Sequence, residues 1–220
     1  MRLRRNPVYQ IPSWVASNAT HVKYLTKHPA RDYVSALFVK SSKDLNKMPT
    51  ENNSDILAAI RKRRSIREFT DEPVDAADLR RIVEAGIWAP SGLNNQPWRF
   101  VIILDPEIRR QLATLTRYRH IVEAAGALIA VYLDAEAMYN QVKDHQAAGA
   151  CLQNMLLATE ALGLGGVWLG EILNNKTEVN RVLGLGDNLD LMGLVAIGHP
   201  LHHQQKSTRK PLTTFIVKEI

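Results

Sequence analysis

A single cysteine, Cys151, stands in 220 residues, so no internal disulfide can form. It sits in a helical pattern with Ala147, Ala148, Leu152, Met155 and Leu156, which predicts a buried, inert thiol. Long hydrophobic runs are missing too. The longest, such as Ala127 to Leu133, have strand length and fall well short of the roughly 18 to 20 apolar residues that cross a bilayer. The expectation is a soluble, cytoplasmic protein without a membrane span. Neither Gly163-Leu164-Gly165-Gly166 nor Gly184-Leu185-Gly186 completes G-x-G-x-x-G, and both follow helical patterns, which argues against a dinucleotide-binding Rossmann domain. His199, His202 and His203 lie close together but lack further ligands at zinc spacing, so no metal is expected.

Acidic residues are absent from the first 31 positions. Residues 1–47 hold nine Lys and Arg against two acids, Asp32 and Asp44, leaving nineteen bases and twenty acids for the remainder. The net charge of +6 therefore resides wholly in one terminal segment and says little about the folded body, which makes nucleic acid an unlikely partner. Residues 1–53 lack sustained periodicity, contain Pro7, Pro12, Pro29 and Pro49, and read as a basic extension. Its composition is shared with organelle transit peptides, although no clean amphipathic helix is present; a start at Met48 is the other reading.

At 45% hydrophobic and 23% charged residues, the whole chain suits one globular domain plus an extension, the domain being residues 54–220. Ser54 is placed to cap a helix carrying Ile56, Leu57 and Ile60, and Asp75 to cap one carrying Leu79, Ile82, Val83 and Ile87. Trp98 to Leu104 reads as a strand, and Asp105-Pro106 as the start of a third helix. Ala127 to Leu133 is a buried strand, Ala135 to Leu162 a long central helix, and Val167-Trp168 a short strand. A helix capped near Asn174 or Asn175 and strands at Leu191 to Ile197 and Thr213 to Val217 complete the order. This predicts an α+β fold with a mixed sheet packed on helices. Trp98 and Trp168 are expected to pack the core.

Two clusters carry chemistry. Arg63-Arg64-Ser65-Ile66-Arg67-Glu68-Phe69 places three guanidinium groups and a hydroxyl within five residues, donors suited to a phosphate monoester. Taken alone, its plainer reading is a solvated basic helix end. Ala89-Pro90-Ser91-Gly92-Leu93-Asn94-Asn95-Gln96-Pro97-Trp98 is a rigid, amide-rich loop offering donors and acceptors to a planar heterocycle, or simply a capped turn. Asp144, His145, Glu160 and Glu171 read as helix-surface or interface contacts.

These two blocks, with Ala161-Leu162-Gly163-Leu164-Gly165-Gly166-Val167-Trp168-Leu169-Gly170-Glu171 and Lys206-Ser207-Thr208-Arg209-Lys210-Pro211, resemble the nitroreductase family over residues 55–220. The resemblance implies a nitroreductase-like fold in a domain-exchanged homodimer with FMN at the interface. It implies that Arg63, Ser65 and Arg67 bind the FMN phosphate, ribityl chain and pyrimidine side, with Arg64 adjacent and Arg209 at the phosphate. Pro90, Ser91, Gly92, Asn94 and Gln96 are then expected at the flavin from the partner subunit, with Leu169 and Gly170 along the ring edge.

The flavin carries the chemistry in such enzymes, so no catalytic side chain is expected. NADH or NADPH gives hydride and a nitroaromatic, quinone or similar acceptor takes it, by a ping-pong scheme. The chain is short where larger members build a substrate lid, with only Arg117 to Glu123 there, so an open acceptor pocket is expected. Alternatives are a flavin-consuming or dehalogenating member, a flavin-binding protein without NAD(P)H turnover, and a module whose extension binds polyanions.

Overall fold

The computed structural model describes residues 51–203 and 205–220. The expectations for the basic extension lie outside these residues up to position 50. In chain order the elements are α1 (Glu51–Lys62), α2 (Ala76–Ile87), β1 (Trp98–Ile103), α3 (Pro106–Ala113), α4 (Arg119–Ala124), β2 (Ala127–Asp134), α5 (Gln141–Ala161), β3 (Gly165–Leu169), α6 (Lys176–Leu183) and β4 (Leu189–Gly198). Local chemistry sets several starts. Asp75 accepts from Ala77 N (2.8 Å) and opens α2. Asp105 accepts from Glu107 N (2.7 Å) with Pro106 at the first helical position of α3, and Asn140 accepts from Lys143 N (3.1 Å) to open α5.

Other expected boundaries move. α1 begins at Glu51, so Ser54 lies inside the helix rather than at its cap. α5 begins at Gln141, because Asp134 to Asn140 form turns ahead of the Asn140 cap. Asn175 occupies the cap position of α6, but its amide donates to Leu115 O (2.7 Å) and caps nothing. The expected strand at Thr213 to Val217 is absent: Leu212–Thr214 form a 3-10 turn, and no described strand lies beside them to supply hydrogen bonds.

The four strands stand in the order β1-β2-β4-β3 and every pairing is antiparallel. The parallel component of the expected mixed sheet reduces, among the described residues, to one bridge between Ser65 and Gly166. Alternate residues of β2 divide between two cores. Ala127, Ile129, Val131 and Leu133 face α2 and α5, whereas Leu128, Ala130 and Tyr132 face α3, α4 and α6. A strand covered on both faces has no solvent side, which is why it reads as a continuous apolar run. An irregularity in the β2–β4 register at Val131/Tyr132 shifts the alternation of β4, so that Leu191 and Leu194, three apart, enter the same core.

α5 supplies the stripe Asp144, Ala147, Ala148, Cys151, Leu152, Met155, Leu156 and Thr159, all buried at helical spacing. Cys151 is fully buried and its thiol is pushed up to about 12, as an inert core residue requires. Trp98 packs into the core as expected, but Trp168 is 43% exposed, because β3 is an edge strand and that residue points away from both cores. No helix among the described residues is long and apolar enough to cross a membrane. Leu152 lies at 0% exposure between the sheet and α2. Leu152→Ala is expected to cost about 2–5 kcal/mol of unfolding free energy, measured by urea denaturation.

Candidate functional site

The strip from Arg63 to Thr70 leaves α1 and runs beside β3 and the exit of β4. Three main-chain hydrogen bonds fix it: Ile66 N to Gly166 O (3.1 Å), Thr70 N to His199 O (2.9 Å) and Leu201 N to Glu68 O (3.0 Å). Ile66 and Phe69 are buried, while Ser65 stays half-buried and Arg67 exposed, so the strip anchors through its apolar residues and leaves its polar ones outside.

Arg63 is half-buried. Burial first, then the like charges of Arg209 and Arg64, pull its pKa below the ordinary arginine value, with Glu160 opposing. Crowded guanidinium groups raise the local positive potential, which an anion would relieve. Arg64 is engaged by the backbone: Nη1 donates to the carbonyls of Arg61 (2.5 Å), Lys62 (3.1 Å) and Arg63 (2.9 Å), and Nε to Gln205 O (3.1 Å). It thereby satisfies carbonyls at the end of α1 and ties down the C-terminal segment. Arg67 Nη1 donates to Ser65 O (3.3 Å), and Arg209 Nη1 to Ser207 Oγ and to Thr208 O (2.8 Å). A cleft of about 230 Å³ opens among Ile60, Arg61, Arg64, Ser207 and Arg209, with no acid in its lining. Arg61 and Ser207 join the site although sequence reasoning gave neither a role; the sequence signal was the place of Arg61 just ahead of the first basic motif and of Ser207 within the second.

The loop from Pro90 to Pro97 is strained. Leu93, Asn94 and Gln96 have φ of 55°, 56° and 47°, left-handed values that cost a non-glycine residue about 1–3 kcal/mol each. Ser91 Oγ accepts from Gln96 N (3.1 Å), and Gln96 Nε2 donates to Asn94 O (3.2 Å). The Tyr139 ring packs against the bare Gly92 backbone, where a Cβ would fall 1.9 Å from its hydroxyl and push the ring aside. Pro90 is exposed. The anchor is Asn95, whose Nδ2 donates to Ala137 O (2.9 Å) and to Asp144 Oδ1 (2.9 Å).

Asp144 is therefore no helix-surface residue. It is fully buried, and its Oδ2 accepts from Tyr139 N (3.0 Å) and Asn140 N (2.9 Å). Burial alone would push its carboxyl up, but the hydrogen bonds from Asn140, Asn95 and Tyr139 outweigh it and hold the pKa below the usual Asp value. The signal was available in the sequence, because position 144 belongs to the stripe that continues through 148, 151 and 155. His145 instead meets Asp190 (3.2 Å), which also pairs with Lys176 (2.5 Å), and Glu160 meets Lys62 (3.2 Å).

At the far end of β3, Leu169 is buried and the space beside the Gly170 Cα is open. Glu171 accepts from Thr116 Oγ1 (2.6 Å), Arg117 N (3.1 Å) and Arg117 Nε (3.2 Å), fastening the segment expected as the only lid material to the turn after Gly170. The Thr116 hydroxyl first, then the Arg117 amide, hold the Glu171 carboxyl below its usual value.

The strip meets β3 at Gly166, four residues from Gly170, or roughly 14 Å at the rise of a strand. The β3 edge thus has cationic side chains beside its start and open backbone beyond its end. The Pro90–Pro97 loop lies elsewhere: it enters β1, the opposite edge of the sheet, and no hydrogen bond or ion pair among the described residues joins it to the strip or to Gly170.

The sequence profile of the nitroreductase family matches residues 60–118 and 115–199. The chain belongs to the nitroreductase family. Similar nitroreductase structures include one described as a nitroreductase from Desulfovibrio desulfuricans in complex with FMN. It is 52% identical, has a TM-score of 0.72, and the match covers 76% of this chain and 97% of that one. An NADH dehydrogenase from Thermus thermophilus is 31% identical over 74% of this chain and 95% of its own length. An NADPH-flavin oxidoreductase from Vibrio harveyi is 31% identical over 67% of each. The shared fold is α+β with the antiparallel sheet described above.

The depressed Glu171 pKa has a sign that can be checked. Its hydrogen bonds stabilise the ionised form, so their contribution is complete above the ordinary Glu value of about 4.3 and is lost as pH falls through the lower folded value. Glu171→Gln is expected to lower Tm at pH 7 and to flatten its decline below about pH 4 relative to wild type, measured by calorimetry across the acid range.

Proposed function

We propose that this chain is an FMN-dependent oxidoreductase that takes hydride from NADH or NADPH and gives it to a nitroaromatic, quinone or similar acceptor. The observation that carries this reading is the pair of features along the β3 edge: Arg63 and Arg209 crowded beside its start, and open space at Gly170 beyond its end. That donor set fits FMN, which has a phosphate dianion at one end of a polar chain and a planar ring at the other. The relatives named above, one in complex with FMN and others named for NADH or NADPH, support it.

In this assignment Arg63 and Arg209 hold the phosphate by charge-assisted hydrogen bonds, while Ser65 and Arg67 serve the ribityl chain and pyrimidine side. Arg64 commits its Nη1 and Nε to main-chain carbonyls, so its first role is to shape the cradle beside the ligand. Leu169 and Gly170 present backbone to the ring edge, where the absence of a side chain at Gly170 allows close approach. Bound FMN supplies the two-electron relay itself, serving donor and acceptor in turn on one face in a ping-pong scheme.

Pro90, Ser91, Gly92, Asn94 and Gln96 close the site from a second copy of the chain, since one chain keeps them on the opposite sheet edge. The homodimer this requires is supported by apolar side chains left in water: Ile56, Leu57 and Ile60 on α1, Trp88, Leu93 and Phe215. A flavoprotein fed by NAD(P)H fits the cytoplasm.

The purified protein is expected to be yellow, and anaerobic NADH or NADPH to bleach it. Arg63→Ala and Arg209→Ala are each expected to weaken FMN binding about tenfold to a hundredfold by fluorescence titration, the range for a lost hydrogen bond to a charged group. Protein that stays colourless after addition of FMN would sink the reading. Flavin that binds but is not bleached by either nucleotide would favour a flavin-binding protein without turnover.

A further inference from the structure

We propose that Asp144 and Asn95 form a positioning pair that locks the Ser91–Gln96 loop in the shape with which it closes the flavin site, a role resting on the FMN reading above. The loop cannot hold itself. Three of its six residues sit at left-handed φ without being glycine, and its own side chains supply only the Ser91–Gln96 and Gln96–Asn94 hydrogen bonds. Leu93, at the tip, is 86% exposed, so no packing from this chain restrains it. What restrains the loop is the first turn of α5 and the segment before it: Ala137 O and Asp144 Oδ1 take both protons of the Asn95 amide, and the Tyr139 ring occupies the space beside Gly92.

The orientation of that amide is forced. Turning it over would set Asn95 Oδ1 against a carbonyl and a carboxylate, so the structure accepts a buried Asn95 Oδ1 with no partner instead. Asp144 divides its two oxygens. Oδ2 takes the Tyr139 and Asn140 N–H groups ahead of α5, and Oδ1 takes the loop. A residue needed only to cap α5 would use one oxygen. The second, aimed at Asn95 and buried, transmits the rigid position of α5 to the loop, and Lys143 above the Tyr139 ring (5.5 Å to its centre) reinforces the same turn.

The experiment separates the loop arm from the helix arm. Asn95→Ala removes only the tether to the loop, and Asn95→Ser retains a short donor. Asp144→Asn must set an NH2 group against other donors on one side or the other. Each purified variant is titrated with FMN, its bound-flavin visible spectrum recorded, and kcat and KM measured for an acceptor, with the apoprotein Tm as the measure of folding. Asn95→Ala is expected to bind FMN about tenfold to a hundredfold more weakly, with a shifted flavin band and a somewhat lower apoprotein Tm, because the buried Asp144 carboxylate loses one donor, and Asn95→Ser to fall between Asn95→Ala and wild type. Asp144→Asn is expected to show the same loss with a lower Tm as well; should it fail to fold, Asn95→Ala decides. Wild-type affinity, spectrum and kcat in Asn95→Ala overturns the positioning role while leaving the FMN reading intact. A wild-type protein that does not bind FMN overturns both.

Discussion

The site depends on how the Arg63–Thr70 strip is pinned. Crowding cations is unfavourable: two like charges a few ångströms apart in a partly solvated setting repel by on the order of 1–4 kcal/mol. Against this stand Ile66 and Phe69, each buried and each worth about 1.5–3 kcal/mol of transfer free energy, plus three main-chain hydrogen bonds to β3, β4 and their flanks. Packing wins for the strip, and the four carbonyls that accept from Arg64 hold that guanidinium in place. Room for that packing comes from the sheet: a Cβ at Gly165 would meet Ile66 at 2.7 Å and one at Gly198 would meet Phe69 at 2.8 Å. The first residue of β3 and the last of β4 are thus bare so that a neighbouring strip can lie close enough to carry its charges.

Two carboxylates do for the remaining walls what Ile66 and Phe69 do for the strip. Asp144 fastens the Pro90–Pro97 loop to α5, and Glu171 fastens Thr116 and Arg117 to the turn after β3. Each accepts at least one backbone N–H from a segment without regular structure of its own, which trades the entropy of a loop for a charge-assisted hydrogen bond. Neither carboxylate has a proton to give at neutral pH, as both are held ionised by their partners. Their contribution is geometric, which suits a site whose chemistry is assigned to a cofactor.

What could be read from the sequence was whatever local chemistry decides. Asp75 and Asp105 cap because a short acceptor side chain ahead of an apolar stripe has few other uses, whereas the Asn140 cap of α5 went unread, and β2 declared itself by its apolar run from Ala127 to Leu133. The two motifs were legible as clusters, although neither alone told a ligand site from a basic helix end or a turn. Tertiary placement stayed hidden. Asp144 falls on the buried stripe of α5, a burial that spacing could show, but its partners, Asn95 and the Tyr139 amide, are fixed by the fold. Trp168 looked like core because nothing in five residues of β3 says that the strand lies at an edge. Thr213 to Val217 is apolar and β-branched enough for a strand, yet strand pairing needs a neighbour, and none of the described strands provides one.

The same topology explains why a second copy enters the assignment at all. Helices α2 and α5 cover one face of the sheet and α3, α4 and α6 the other, so a ligand can reach backbone only at the edges. β3 is one edge and carries the cationic strip; β1 is the other and carries the strained loop. The end of β3 is level with Val101 in the middle of β1, and two strands separate them, roughly 14 Å across three inter-strand spacings, with the start of β1 about 10 Å further along. A loop clamped to α5 cannot swing across that distance without breaking the Asn95 hydrogen bonds that define its shape. Rigidity in the loop and closure of the proposed flavin site are therefore incompatible within one chain, and would become compatible in the proposed homodimer, where a twofold partner would lay its own loop over this chain's β3 edge.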